Sequence, residues 1–191
     1  FALQGRHLTT KPMKGTTRRR ADQAADEAAR ADLVADPKQR AENLMIVDLL
    51  RNDLSRVCAA GSVQVPALFH IESYPTVHQM TSTVTGVLAD GTDSVDVIRA
   101  LFPCGSITGA PKIRAMQVVE EVENASRGIY CGSIGRIDAN GEAAFNVAIR
   151  TFTVCDATKS LSLGLGSGIV ADSHEADEWA ECLAKGDFAK L

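Results

Sequence analysis

An α+β fold, a layered β-sheet sandwich with flanking helices, is what this sequence predicts, and three observations carry that prediction. Blocks rich in β-branched residues with alternating polarity occupy 61–88 and 130–170. Helical segments with charged or apolar residues at three- and four-residue spacing precede, separate and follow those blocks. Between two of the expected strands stands Asn140-Gly141, a pair that tolerates positive φ and marks a hairpin.

Thr16 to Leu33 is rich in Ala, Asp, Glu and Arg, and reads as an exposed helix capped by Thr16 or Thr17. Asp36-Pro37 opens a second helix, with Asp as the cap and Pro at the first helical position, ending near Ser55. Gly61 to Leu88 gives two or three strands, closed by the turn Asp90-Gly91. Ser94 to Leu101 is a short helix, and Ala110-Pro111 opens another that runs to about Glu123. Tyr130 to Ile137 and Ala143 to Val154 flank the hairpin turn. Ser160 to Val170 is a further strand, and His174 to Lys185 a final helix.

The bulk properties are those of a globular protein, with 191 residues, 45% hydrophobic, 23% charged and a net charge of -4. At this length roughly 70% of the unfolded chain's surface can be buried, so neither a disulfide framework nor a structural metal is needed. The acidic balance excludes a global field for nucleic acid or anionic lipid, and 5% aromatic content argues against a stacking platform for single strands. The five cysteines are an odd number, with neither Cys-x-x-Cys nor zinc-ligand spacing, which suits a reducing, cytoplasmic setting. No window approaches the ~18 apolar residues of a membrane span, and nothing reads as a signal peptide.

Several residues could carry chemistry. Glu42 shares a helical face with Met45, Ile46 and Leu49, so either something neutralises it there or it sits in an exposed first turn that the helix dipole favours. Glu178, Glu181 and Lys185 project from one side of the last helix. They form either a solvated face with a Glu181–Lys185 pair worth ~0.3–0.5 kcal/mol, or a source of carboxylates for Mg²⁺. Gly164-Leu165-Gly166-Ser167-Gly168 could let backbone amides approach an anion, or could mark tight packing. Gly105-Ser106-Ile107-Thr108 leads into a helix N-terminus and lacks the Walker A spacing. Lys14 lies in the stiff segment Lys11-Pro12-Met13-Lys14-Gly15-Thr16. A lysine of pKa ~10.4 is neutral only about once in 2,500 at pH 7, so a nucleophilic role needs its surroundings to favour the free amine.

Together, four segments carry a resemblance to a known family. They are Ala41-Glu42-Asn43-Leu44-Met45-Ile46-Val47-Asp48-Leu49-Leu50-Arg51-Asn52-Asp53, Phe102-Pro103-Cys104-Gly105-Ser106-Ile107-Thr108-Gly109-Ala110-Pro111-Lys112, Arg127-Gly128-Ile129-Tyr130, and Gly166-Ser167-Gly168-Ile169-Val170-Ala171-Asp172-Ser173. In order and content these resemble the chorismate-utilising enzymes, a family that includes anthranilate, aminodeoxychorismate, isochorismate and salicylate synthases. The resemblance implies that Glu42, Glu178 and Glu181 hold Mg²⁺, which grips the ring carboxylate of chorismate. It implies that Gly166 and Gly168 offer amides to a substrate carboxylate, that Lys185 points at the ring carboxylate, that Tyr130 and Arg150 receive the enolpyruvyl carboxylate, and that Ser106 lies in the site.

Lys14 matches the lysine of the aminodeoxychorismate synthases, where anthranilate synthases usually carry Ala. The resemblance therefore implies amination of chorismate through a covalent Lys14 adduct, with ammonia from a glutamine amidotransferase partner and a product leading to p-aminobenzoate and folate. The alternatives are anthranilate-type activity, or an inactive fragment that binds chorismate and Mg²⁺. Many relatives carry His at the position of Gln79. Gln can hydrogen-bond a ring hydroxyl but cannot act as an acid or base near neutral pH. His78, one residue earlier on a strand, is expected to face the other way. Relatives also carry a Ser-Pro-Glu motif just before the position of Phe1 and a large N-terminal half. Residues 1–191 are therefore expected to be the C-terminal portion of a chorismate-binding catalytic domain.

Overall fold

A computed structural model describes residues 1–189. In chain order these form strands β1 (Ala2–Gln4), β2 (His7–Thr10) and β3 (Met13–Arg18), helices α1 (Gln23–Ala35) and α2 (Pro37–Ser55), and strands β4 (Gln64–Ser73) and β5 (Val77–Val87). Helices α3 (Ser94–Leu101), α4 (Gly105–Thr108) and α5 (Lys112–Val122) follow. Then come strands β6 (Ser133–Ile137), β7 (Ala143–Val147), β8 (Phe152–Cys155) and β9 (Ser160–Leu163), and helix α6 (Glu175–Lys185). This is the mixed helix-and-sheet chain that the patterning predicts. No described helix is long and apolar enough to cross a membrane.

The chain divides into two compact units. The first holds Phe1–Ser106 together with the hairpin tip Arg136–Ala144, and is built around β5. One side of β5 pairs antiparallel with β4, and the other pairs with β3 along its first half and β2 along its second. Beyond β2 lies β1, whose Ala2 and Leu3 pair with Ala144 and Ala143. Packed on this sheet, α2 buries a stripe of Asn43, Ile46, Val47, Leu50 and Leu54, the spacing by which a helix covers a sheet. Leu8, Met80 and Val84 are fully enclosed beneath it.

The second unit holds residues 107–135 and those from Phe145 onward. It contains α5, the β8–β9 ribbon and α6. Among its described residues Ala148 is the buried apolar one.

Four expectations are corrected. Residues 16–18 belong to a strand, because Thr16, Thr17 and Arg18 pair with Gln79, His78 and Val77. The first helix starts at Gln23, capped by Asp22, whose carboxylate accepts from the Ala25 amide at 2.8 Å. The run from Ala143 to Val154 is two strands, broken where Arg150 takes φ +51°. The strand from Ser160 stops at Leu163, since Gly164 and Gly166 lie hard against the Tyr130 ring rather than continuing a ladder. The second helix, the short helix 94–101 and the hairpin around Gly141, at φ +85°, form as predicted.

Candidate functional site

In the first unit the site is organised by a bulge. Met13 pairs with Thr81 and Thr16 with Gln79, so β3 spends one residue more than β5 over this interval, at Lys14-Gly15. Gly15 takes φ +98°, and a Cβ there would stand 3.2 Å from Gln39 Oε1 and 3.3 Å from both Leu33 Cδ1 and Met80 Cβ. Only glycine meets the dihedral and the space together.

Side-chain amides hold the two carbonyls of the bulge. Fully buried Asn43 donates to the Lys14 carbonyl at 3.4 Å and accepts from Ser82 Oγ at 2.6 Å. Gln79 Nε2 donates to the Gly15 carbonyl at 2.8 Å, and Gln79 Oε1 accepts from the Thr16 hydroxyl at 2.8 Å.

From this mount the Lys14 ammonium reaches to 3.9 Å from Glu42, with side chains 34% and 36% exposed. Lys11, the other lysine of the segment, is paired with Glu72 at 2.6 Å. Glu42 is not in the first turn of its helix, which begins at Pro37. The buried stripe of that helix runs one residue later than the 42/45/46/49 face, leaving Met45 44% exposed and Glu42 half-buried beside it. The sequence offers Thr16 only as a helix cap and gives Asn43 no role of its own. The signal for Asn43 is an amide on the apolar stripe of α2.

His78 faces away from Gln79, as alternation requires. It is buried, with Nδ1 at 2.8 Å from Ser73 Oγ and Nε2 at 3.1 Å from Asp26. Asp26 also accepts from the Arg20 amide at 2.7 Å and from Arg19 Nε at 2.8 Å. The Arg20 amide first, then Arg19 and His78, hold the Asp26 carboxyl below its ordinary pKa, against the cost of burial. Ser106, half-buried in α4, lies 3.1 Å from Cys104 Sγ.

The second unit gathers the remaining candidates around the glycine loop. Tyr130 fills the space in front of it: a Cβ on Gly164 would meet Tyr130 Cδ2 at 2.6 Å, and one on Gly166 would meet its hydroxyl at 2.7 Å. Gly168 faces open space. Burial pushes the Tyr130 phenol up to about 12, so it keeps its proton at neutral pH and can donate a hydrogen bond. Lys185 donates to the Gly166 carbonyl at 2.9 Å and pairs with Glu181 at 2.6 Å. One turn earlier, Glu178 accepts from Ser173 Oγ at 2.6 Å. Hydrogen bonds from Cys131 N to Ala148 O and from Ala148 N to Gly132 O, each 2.9 Å, lay the segments bearing Tyr130 and Arg150 side by side, with Arg150 itself exposed.

Glu42, Glu178 and Glu181 each offer carboxylate oxygens, the donor type that Mg²⁺ takes. Their chemistry fits that ion. Among the described residues no three His, Cys, Asp or Glu side chains are grouped so that they could hold a metal ion.

Comparison with known proteins returns one family. The model of the chorismate binding enzymes matches residues 1–190. Over 183 residues the chain is 46% identical to aminodeoxychorismate synthase component 1 of Salmonella typhimurium, covering 96% of this chain and 40% of that protein. It is 44% identical over 183 residues to anthranilate synthase component 1 of Aquifex aeolicus, covering 96% and 37%. Among solved structures, anthranilate synthase component I of Streptococcus pneumoniae superposes with a TM-score of 0.82 at 34% identity, over 96% of this chain and 40% of that one. The chain thus spans about two-fifths of the length of the relatives it matches.

Proposed function

Since this chain belongs to the chorismate binding enzyme family, we propose that the protein it represents aminates chorismate to 4-amino-4-deoxychorismate. The observation that carries this reading is Lys14, mounted on a glycine bulge with its amine 3.9 Å from Glu42. The bulge presents the amine from a defined place on the backbone, and a defined place is what covalent chemistry at a ring carbon asks of a nucleophile.

The step balances as follows. The free amine of Lys14 adds to C2 of chorismate, the ring double bond shifts, and the C4 hydroxyl departs as water with one proton. Ammonia then adds at C4, the double bond shifts back, and the lysine leaves C2 as the amine. The net exchange is one hydroxyl for one amino group, with one water released. Ammonia would come from a glutamine amidotransferase partner, in the cytoplasm, on the way to p-aminobenzoate.

Binding falls to other residues. Arg150 would form a planar fork with the enolpyruvyl carboxylate, and the protonated Tyr130 phenol would donate to it. The Gly166 and Gly168 amides and Lys185 would face a substrate carboxylate, and Ser106 would donate a hydroxyl. By the family resemblance, Glu42, Glu178 and Glu181 would be the carboxylates that hold Mg²⁺. When bound, that ion would neutralise the ring carboxylate of the dianionic substrate.

The test is product identity. Full-length protein supplied with chorismate, ammonium and Mg²⁺ is expected to yield aminodeoxychorismate, and turnover should collapse on chelation. Anthranilate as the sole product would overturn the reading.

A further inference from the structure

We infer that Gln79 and Thr16 form a clamp that sets the position of Lys14, so that Gln79 acts on the reaction through the bulge rather than by touching the ring. The inference rests on the amination reading above, and it assigns Gln79 a different job from contact with a substrate hydroxyl.

The geometry is specific. Gln79 and Thr16 are direct cross-strand partners on β5 and β3. The Gln79 carboxamide donates to the Gly15 carbonyl and accepts from the Thr16 hydroxyl, both at 2.8 Å, so its two ends are committed to consecutive residues of the bulge. Neighbouring donor and acceptor atoms are what a primary amide supplies. A carboxylate would set an acceptor against the Gly15 carbonyl, and an imidazole carries its donor and acceptor on separate corners of the ring.

The clamp matters because a bulge lacks part of the ladder that fixes an ordinary strand. On its other side Asn43 holds the Lys14 carbonyl, at 3.4 Å. Gly15 between them has the most permissive backbone of any residue, at φ +98°. With one amide on each carbonyl, the peptide planes on both sides of the Gly15 Cα are fixed. The direction in which the Lys14 side chain leaves the strand is fixed with them. Removing Gln79 frees the Gly15–Thr16 plane and, through the Gly15 dihedrals, loosens the neighbouring plane that carries Lys14, so the amine loses its fixed place. Displacement of a reacting group by ~1 Å costs on the order of 10²-fold in rate.

Four full-length variants test this: Gln79→Leu, Thr16→Val, the double variant, and Thr16→Ser. The readouts are amination kinetics and hydrogen exchange of the amides in residues 13–17. The expected result for Gln79→Leu is a kcat lower by about 10²-fold with KM for chorismate within twofold, and faster exchange in that segment. Thr16 is exposed, so Thr16→Val tests the same clamp with little risk to folding. It should lower kcat in the same direction without adding to Gln79→Leu, while Thr16→Ser restores the parental values. A raised KM with kcat retained would make Gln79 a substrate contact and overturn the inference, as would unchanged exchange in residues 13–17. Failure of the underlying amination reading shows elsewhere, as full turnover in Lys14→Ala.

Discussion

The Lys14 ammonium and the Glu42 carboxylate stand 3.9 Å apart, one on a strand bulge and the other in the second turn of α2, with about a third of each side chain open to solvent. That exposure leaves the amine open to solvent, so the proposed nucleophile can be tested directly. Lys14→Ala in the full-length protein should lower amination by on the order of 10³-fold or more, because it removes the nucleophile rather than a binding contact. Lys14→Arg should not rescue it, since a guanidinium stays protonated. Rapid-quench mass spectrometry should find a Lys14 adduct when ammonia is withheld. Unchanged turnover in Lys14→Ala would exclude the covalent route.

Gly15→Ala probes the mount. At φ +98° an alanine is strained whatever its neighbours. Here its methyl would also press on Met80 and Leu33 at 3.3 Å, both packed in the core. A loss of about 1–3 kcal/mol is expected, read as a lower urea midpoint with an unchanged m-value. A midpoint equal to that of the parent would mean the bulge relaxes freely.

The sequence displayed the regular parts of this fold because local signals there agree with tertiary ones. Asp36-Pro37 caps and starts α2, and Asn140-Gly141 turns the hairpin, in each case by backbone chemistry that needs no distant partner. The first helix was misplaced because Thr16-Thr17 also reads as a helix cap. Pairing with β5 decided against that reading, and a propensity pattern does not contain such a partner. Glu42 was visible as a chemically awkward residue. Asn43 was not singled out, because its value lies in two contacts, Lys14 and Ser82, that sit 29 and 39 residues away. The glycine loop left two readings open, amides that approach an anion or tight packing. Gly164 and Gly166 take the second, with the Tyr130 ring packed against them, a partner that motif spacing does not name.

Asp26 predicts a pH dependence of stability. Its carboxyl is held below the ordinary carboxylate value by the Arg20 amide, then Arg19 and His78. A group whose pKa is lowered by folding contributes stability that is complete above its unfolded value, about 3.9, and is lost as pH falls through the folded value. Asp26→Asn should therefore lower Tm at pH 6, and the difference from the parent should shrink as pH is brought below about 3.9. A Tm difference that stays constant across that window would show that Asp26 acts by shape and hydrogen bonding, not by charge.

Two glycines of one loop should respond very unequally to the same methyl group. At Gly164 a Cβ would meet Tyr130 Cδ2 at 2.6 Å and Cβ at 2.8 Å, so the ring has to leave its seat. At Gly168 no atom lies within 4 Å, and the backbone is not in the left-handed region. Gly164→Ala should therefore destabilise the fold by the 1–3 kcal/mol typical of overpacking, and should weaken chorismate binding through the displaced phenol. Gly168→Ala should change stability by less than about 1 kcal/mol. Tyr130→Ala removes the obstacle. In its background Gly164→Ala should cost far less than alone, a coupling that a double-mutant cycle measures directly. Additive effects would mean that Gly164 is needed for its own backbone freedom and that Tyr130 is seated by other contacts.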